Sequence, residues 1–316
     1  MLVAYVLMIF FYWLFLSAVI FVAGAFSAKL FVTGPSGADV CLPYGRRKCL
    51  GDAASFIVFL AVLFALLANA VHLVFHAAVM TETPLGEVFS IIPIFLAKTK
   101  YGQFGVIRTG ILVALALITF VGLFRVSRAV TYLGALISLS LLATICMSGH
   151  KGTEGYFNIQ FALDLLHVMS VAMWIGGLFF ILLCFSFLMS DAGKELWEMF
   201  HRMITRFSDL ATYCVAVALA TGVGLALFSV KSADILIETR YGIVLIVKSL
   251  LAVSIFLLGG ANKFFLLPAI DRAGEGEWQR LLGLRGRLHA VVRVEALIGL
   301  AVLLATSLLT HLSPQG

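Results

Sequence analysis

The 316-residue sequence is strongly apolar: 62% of its residues are hydrophobic, only 12% are charged, and the net charge is +6. Soluble globular proteins have about 25% charged residues. This composition excludes a soluble enzyme and predicts an all-α polytopic membrane protein, because a bilayer-spanning chain must satisfy its backbone hydrogen bonds internally.

Eight apolar runs are each long enough to cross about 30 Å of hydrocarbon as a helix. They lie at 3–28, 55–79, 104–124, 129–148, 160–188, 207–229, 242–267 and 290–311. The first run has no basic segment before it and is too long for a signal peptide, so we interpret it as a span. A further stretch, VFSIIPIFLA at 88–97, is too short to span and contains Pro93, which predicts a short interfacial helix.

Lysine and arginine are concentrated in the loops that follow the odd-numbered spans. Cytoplasmic loops are enriched in these residues. We therefore predict that these loops are cytoplasmic and that both termini lie on the outer side of the membrane. The same bias accounts for the positive net charge, so we expect the lipid bilayer, and no nucleic acid, as a partner.

An internal repeat divides the chain. TKYGQFGVIRTG at 99–110 is echoed by TRYGIVLIVKSL at 239–250, so that Arg108 falls opposite Lys248. Gly24 and Gly176 match more weakly. We predict two four-helix halves, 1–150 and 151–316. Because each half has an even number of spans, both run through the membrane in the same direction, as a parallel repeat.

The second span carries potential metal ligands on one face. In VHLVFHAAVM, the residues His72, His76 and Met80 are four apart, and this spacing stacks side chains along one face of a helix. Imidazole and thioether groups suit a soft metal ion. Asn69, one turn before His72, is a candidate for orienting a ligand. Alternatively, these polar groups hydrogen-bond to neighbouring helices.

The predicted orientation gathers most histidines in the outer half of the membrane. In addition to His72 and His76, they include His150 after span four, His167 in span five and His311 after span eight. Histidine within spans is uncommon and is usually functional. We predict an outer metal site with His72 and His76 on one wall and His150 and His167 on the other. His311 is either a further ligand or an interfacial residue.

Other residues are weaker candidates for this site. Met147 lies three residues before His150 and could add a thioether. Asp164 lies one turn before His167, where it could orient the imidazole toward a metal or only pair with it in helix packing.

Two cysteines and two intramembrane cations have several possible roles. Cys41 and Cys49 lie in the segment CLPYGRRKCL of the first loop, which is predicted to be cytoplasmic. They could accept a metal ion or be ordinary thiols. Arg108 and Lys248 could pair with an acidic residue, extend to the headgroups or receive an anionic group such as a haem propionate.

Several segments resemble the CopD family of bacterial copper-resistance membrane proteins. They are SGH at 148–150, LDLLHVMSVAMWIGGLFF at 163–180, RFSDLATYCVAVALATGVGLAL at 206–227, TRYGIVLIVKSLLAVSIFLLGGANKFFLLP at 239–268 and RVEALIGLAVLLATSLLT at 293–310. The spacing of His167, Trp174, Gly176 and Gly177 is the most specific part, although Trp174 and the glycines themselves are predicted to serve helix packing. The resemblance implies an eight-helix protein of the bacterial inner membrane that handles copper, which with the predicted orientation places both termini in the periplasm. It also implies a small periplasmic copper carrier of the CopC type as partner.

Three functions are compatible with these observations. The favoured one is a copper-binding protein, not an enzyme, that takes copper, as Cu(I) or Cu(II), from the periplasm and passes it to the cytoplasm. The His…Trp…Gly arrangement also resembles HemJ, so one alternative is a membrane oxidoreductase that binds haem b between histidines such as His76 and His167. The other is an assembly factor that delivers copper without transporting it.

Overall fold

The structure is a computed structural model that describes residues 1–33, 50–124, 127–148, 158–188, 194–229, 233–273 and 278–313. In these ranges all regular structure is helical, and eight helices are long and apolar enough to cross a membrane. The prediction of an all-α polytopic membrane protein is therefore confirmed. The sidedness of the termini and the division into two halves stay predictions.

The described helices are numbered in chain order. They are α1 (Leu2–Ala28), α2 (Leu50–Met80), α3 (Val88–Lys98), α4 (Lys100–Phe124), α5 (Arg128–Met147), α6 (Ile159–Val171), α7 (Gly177–Leu188), α8 (Lys194–Ser229), α9 (Ala233–Glu238), α10 (Arg240–Ala261), α11 (Leu267–Arg272) and α12 (Trp278–Thr310). Short π-helical segments continue α1, join α6 to α7 and join α10 to α11. The fifth and seventh spans are thus each built from two helices.

The short helix α3 coincides with the stretch predicted at 88–97. It packs against α2 and α4, and it buries Val88 and Phe95. Gly102, in the first turn of α4, lies so close to the backbone of α3 that a Cβ atom would overlap the carbonyl of Phe95. A glycine is therefore required where α3 meets α4.

The repeated Thr–base–Tyr–Gly sequence forms a helix N-cap in both halves. The Oγ1 atom of Thr99 accepts a hydrogen bond from the Gly102 amide at 2.9 Å, and Thr239 accepts one from the Gly242 amide at 3.0 Å. A threonine in this position satisfies one of the free amide groups of the first helical turn. In the first half, this cap places Tyr101 at the start of α4.

Helix α1 runs through the middle of the bundle. It packs against α2, α5, α7 and α12, and against the π-helical segment Ala172–Gly176. Gly24 and Gly176, which the repeat makes equivalent, meet at this crossing, and a Cβ atom on either would overlap the backbone of the opposite element. Gly177 lies against the ring of Phe207, and Trp174 is buried beside it in the core. Small residues here allow the two spans to touch.

Hydrogen bonds fix the end of α12 against α1. The hydroxyl of Ser307 donates to the Ile9 carbonyl at 2.8 Å, and the hydroxyl of Tyr5 donates to the His311 carbonyl at 3.2 Å. Both bonds lie at the end of the bundle that holds the N-terminus. His311 is thereby held beside α1.

The crossing at Gly176 predicts a strong effect of a single methyl group. Gly176→Ala should lower the free energy of unfolding by at least about 1–3 kcal/mol, because the methyl cannot fit without separating α1 from span five. Thermal unfolding of the purified protein in detergent measures this. Gly259→Ala in α10 is the matched control, since no heavy atom lies within 4 Å of the position that its methyl group would take. Equal stability of the two variants would contradict the close crossing.

Candidate metal centre

Three histidines converge at the end of the bundle that holds the N-terminus. His72 and His76 lie one turn apart on α2, and His311 directly follows α12. One ring nitrogen from each lies within 4.8 Å of those of the other two. The three ring centres are 5.5–6.2 Å apart. We call these residues the histidine triad.

Hydrogen bonds to backbone carbonyls define the protonation of two triad members. Nδ1 of His72 lies 3.1 Å from the Met8 carbonyl oxygen, and Nδ1 of His311 lies 2.8 Å from that of Ser307. A carbonyl oxygen only accepts, so each Nδ1 carries a proton and donates it. In a neutral imidazole the lone pair available to a metal then lies on Nε2.

His76 supplies a buried nitrogen that lacks a partner. Among the described residues, no group is within hydrogen-bond distance of its Nδ1 atom. Such a nitrogen costs free energy when it is buried without a partner. A metal ion would satisfy it, so the third histidine also has a lone pair to offer.

Aromatic rings enclose the triad. Tyr12 packs on His72 and His311 with ring centres 5.0 and 5.1 Å apart, and Tyr101 stacks on His76 at 3.8 Å. His72 is completely buried, whereas His76 and His311 are partly buried. The rings of these tyrosines therefore cover all three imidazoles, and His72 is the most deeply buried of them.

Three neutral imidazoles form a ligand set for a copper or zinc ion with one coordination position left open. Nitrogens bound to one ion at about 2 Å are about 3.3–3.5 Å from one another. The present separations reach 4.8 Å. Rotations that bring the rings roughly 1 Å closer would therefore complete the coordination. Within the described residues, the group contains imidazoles without a carboxylate or thiol.

His167, predicted on the opposite wall, faces a different helix. Its Nδ1 atom lies 3.0 Å from the Ala218 carbonyl and 3.2 Å from the Thr221 hydroxyl, both on α8. The structure thus joins His76 to His72 and His311 and places His167 between α6 and α8. His76 and His167, the example of a ligand pair for the haem alternative, thus contact different helices.

The two predicted thioethers lie at the ends of two different helices. Met80 ends α2 one turn beyond His76, and 56% of it is exposed. Met147 ends α5 and is half-buried. Asp164 is half-buried on α6. His150, Cys41 and Cys49 lie outside the described residues.

Asn69 lies one turn before His72 and is completely buried. Its Nδ2 atom donates to the Thr109 hydroxyl at 3.1 Å, so it joins α2 to α4. Its Oδ1 atom is buried and, within the described part of the chain, has no hydrogen-bond partner. Asn69 therefore contacts α4, whereas the sequence predicted that it would orient an imidazole.

Arg108 is completely buried, so it does not extend to the headgroups. Its Nη2 atom donates to the Ser148 hydroxyl at 2.6 Å, and its Cζ atom lies 5.3 Å from the ring centre of Phe15 and 5.9 Å from that of Tyr101. No described carboxylate is within ion-pair distance. Lys248, its counterpart in the repeat, is only half-buried on α10.

Sequence reasoning missed Tyr101 as part of this site. Its hydroxyl lies 2.7 Å from Nε2 of His72 while its ring covers His76. The available signal was the repeat, in which Tyr101 and Tyr241 recur together with their capping threonines. The repeat indicated that both tyrosines lie in the same kind of helix start, but it did not indicate which residues Tyr101 contacts.

Comparison with known proteins connects this fold to copper. The family model described as "Copper resistance protein D-like, N-terminal domain" matches residues 1–159, and the model described as "Copper resistance protein D" matches residues 201–309. His72 and His76 lie within the first matched region, and His311 lies two residues beyond the end of the second. No solved structure matches the chain.

Two curated relatives carry copper in their names. The chain is 29% identical over 221 residues to the copper transport protein CutJ of Bacillus subtilis, an alignment that covers 69% of this chain and 38% of the relative. It is 28% identical over 230 residues to the copper resistance protein D of Pseudomonas syringae pv. tomato, covering 69% of this chain and 71% of the relative. The chain thus aligns with little more than a third of CutJ. With half of its length matched by the N-terminal model, the chain belongs to the copper resistance protein D family, the CopD family, of multi-pass membrane proteins.

Proposed function

We propose that this protein binds copper at His72, His76 and His311 and passes it from the periplasm to the cytoplasm. The observation that carries the proposal is the convergence of three imidazole nitrogens within 4.8 Å of one another. Copper is the family's metal by name, and imidazole is a suitable ligand for it. The protein would act as a transporter and not as an enzyme.

The position of the triad supports loading from one side. The three histidines lie at the end of the bundle where α1 begins and α12 ends. By the distribution of basic residues this end faces the periplasm. A copper carrier of the CopC type is the proposed donor, and it would deliver the ion at the partly buried His311.

The driving force requires no nucleotide. A cation that moves inward across the bacterial membrane gains about 2.3 kcal/mol per charge for every 100 mV of potential. Neutral imidazoles leave the charge of the copper ion uncompensated, so the bound ion would keep responding to that potential. Cys41 and Cys49 are the proposed acceptors in the cytoplasm.

Removal of any triad ligand should reduce copper binding. We expect His72→Gln, His76→Gln and His311→Gln each to weaken copper affinity by at least about tenfold, because loss of even an orienting partner costs 10- to 100-fold. Plasma mass spectrometry of the purified protein, reading copper and iron together, measures occupancy.

The matched control for these variants is His167→Gln, an intramembrane histidine outside the triad. It should keep the copper occupancy of the wild type. Equal occupancy in all four variants would contradict the site. If the wild-type protein contains iron in place of copper, and His167→Gln loses that iron, the haem alternative would be favoured.

Transport should depend on the triad and on the membrane potential. In vesicles that contain the protein, an inside-negative potential should accelerate copper uptake, and His76→Gln should abolish the acceleration. A copper-sensitive dye enclosed in the vesicles measures the rate. Copper that binds with triad-dependent affinity but never reaches the vesicle interior would favour the delivery factor over the transporter.

A further inference from the structure

Tyr101 occupies the nitrogen of His72 that a copper ion would need. Nδ1 of His72 donates to the Met8 carbonyl, so the lone pair is on Nε2. The hydroxyl of Tyr101 lies 2.7 Å from this Nε2 atom. Because Nε2 carries no proton in this tautomer, the tyrosine is the donor. This hydrogen bond is short and joins α4 to α2.

The hydroxyl and a copper ion exclude each other at this nitrogen. Metal–imidazole bonds are about 2 Å long and follow the direction of the lone pair. A copper ion on Nε2 would stand within about 1 Å of the present position of the phenolic oxygen, which is far too close for both. Copper can bind His72 only after the hydroxyl of Tyr101 has withdrawn.

The surroundings of Tyr101 hold its ring beside the triad. Its ring lies parallel to that of His76, with an angle of 10° between the planes and 3.8 Å between the centres. Movement within this plane keeps the stacking while the hydroxyl leaves Nε2. Arg108 flanks the ring, with its Cζ atom 5.9 Å from the ring centre. The tyrosine therefore stays in position to return.

We propose that Tyr101 is a displaceable competitor for the copper ion at His72. This inference rests on the proposed copper site and adds a residue that sets how tightly the site holds its cargo. The phenol keeps its proton throughout: it donates to Nε2 when the ion leaves and yields Nε2 when the ion arrives. A conducting site must bind well enough to load and weakly enough to release.

If Tyr101 competes with copper, Tyr101→Phe should raise the copper affinity, whereas most substitutions at a binding site lower it. Removing the hydroxyl keeps the ring on His76 but leaves Nε2 of His72 without its donor, which disfavours the metal-free protein. Copper affinity should rise about two- to tenfold, the equivalent of one ordinary hydrogen bond. Release of copper should slow, because the variant has no hydroxyl group that can hydrogen-bond to Nε2 of His72 as the ion leaves.

The experiment uses the full-length protein in lipid nanodiscs, with copper(I) and a chromogenic copper(I) chelator. Competition gives the dissociation constant, and rapid mixing with excess chelator gives the release rate. Tyr132→Phe is the matched control, because it also removes one phenolic hydroxyl, but Tyr132 is 56% exposed and lies at the start of α5. The control should stay within about twofold of the wild type.

A second measurement is made first on the wild-type protein, and the variant serves only to assign the signal. The tyrosine doublet in ultraviolet resonance Raman spectra reports whether a phenol donates a hydrogen bond. Copper should shift the doublet of the wild type, and Tyr101→Phe should lose that shift.

The outcomes separate this inference from the proposed function. Tighter binding and slower release in Tyr101→Phe support the competitor role. Weaker binding would make Tyr101 a ligand, and unchanged binding without a copper-dependent Raman shift would make it a packing residue; either overturns the inference while the histidine triad stands. Wild-type protein without triad-dependent copper would contradict the proposed function and this inference with it.

Discussion

The bonds that His72 and His311 donate from Nδ1 to backbone carbonyls are the interactions on which the site depends. They place a lone pair on each Nε2, and they fix the direction in which each ring points. The carbonyl that receives the bond from His72 belongs to Met8 on α1. The orientation of a ligand on α2 is therefore set by the helix at the centre of the bundle.

The position of α1 is in turn set by packing. It crosses span five where Gly24 meets Gly176, with no room for a methyl group on either side. The same helix receives the Ser307 hydroxyl of α12, which holds the third histidine within reach of the other two. A crossing in the middle of the bundle thus determines the geometry of a site at its end.

The chemistry of the site favours temporary rather than permanent binding. The triad offers lone pairs without negative charge, so a copper ion keeps its full charge in an apolar setting. Arg108 adds a buried positive charge near Tyr101, and like charges raise the energy of a bound cation. Tyr101 competes for one of the ligand nitrogens. All three effects would weaken the binding of copper, which is consistent with the proposed transport.

Much of the fold was predictable from sequence, because the bilayer leaves few choices. Apolar runs of sufficient length located all the spans, and Pro93 in a short run identified α3. The helix bounds were less predictable: α8 begins at Lys194 and not near 207, since hydropathy detects only the part of a helix that lies in hydrocarbon. The π-helical segments have no recognisable pattern in the sequence, so they were not predicted.

The site was predictable only within one helix. His72 and His76 share a face through their spacing alone, which requires no knowledge of neighbours. The third member depends on which spans are adjacent, and the sequence favoured His150 and His167 over His311 for the opposite wall. His150 lies outside the described residues, and His167 contacts α8. The structure brings His311 to the pair because α12 packs against α1. Tyr101 was missed for the same reason, since its contact with His72 joins two helices.

Copper K-edge X-ray absorption of the loaded wild-type protein identifies the atoms that bind the ion. Coordination by the three histidines predicts a first shell dominated by nitrogen at about 2.0 Å with the outer scattering of several imidazole rings, and no sulfur contribution. That result would identify the ligands as histidines without a methionine or cysteine. A sulfur shell near 2.3 Å, or scattering from a single imidazole, would contradict a site formed by His72, His76 and His311.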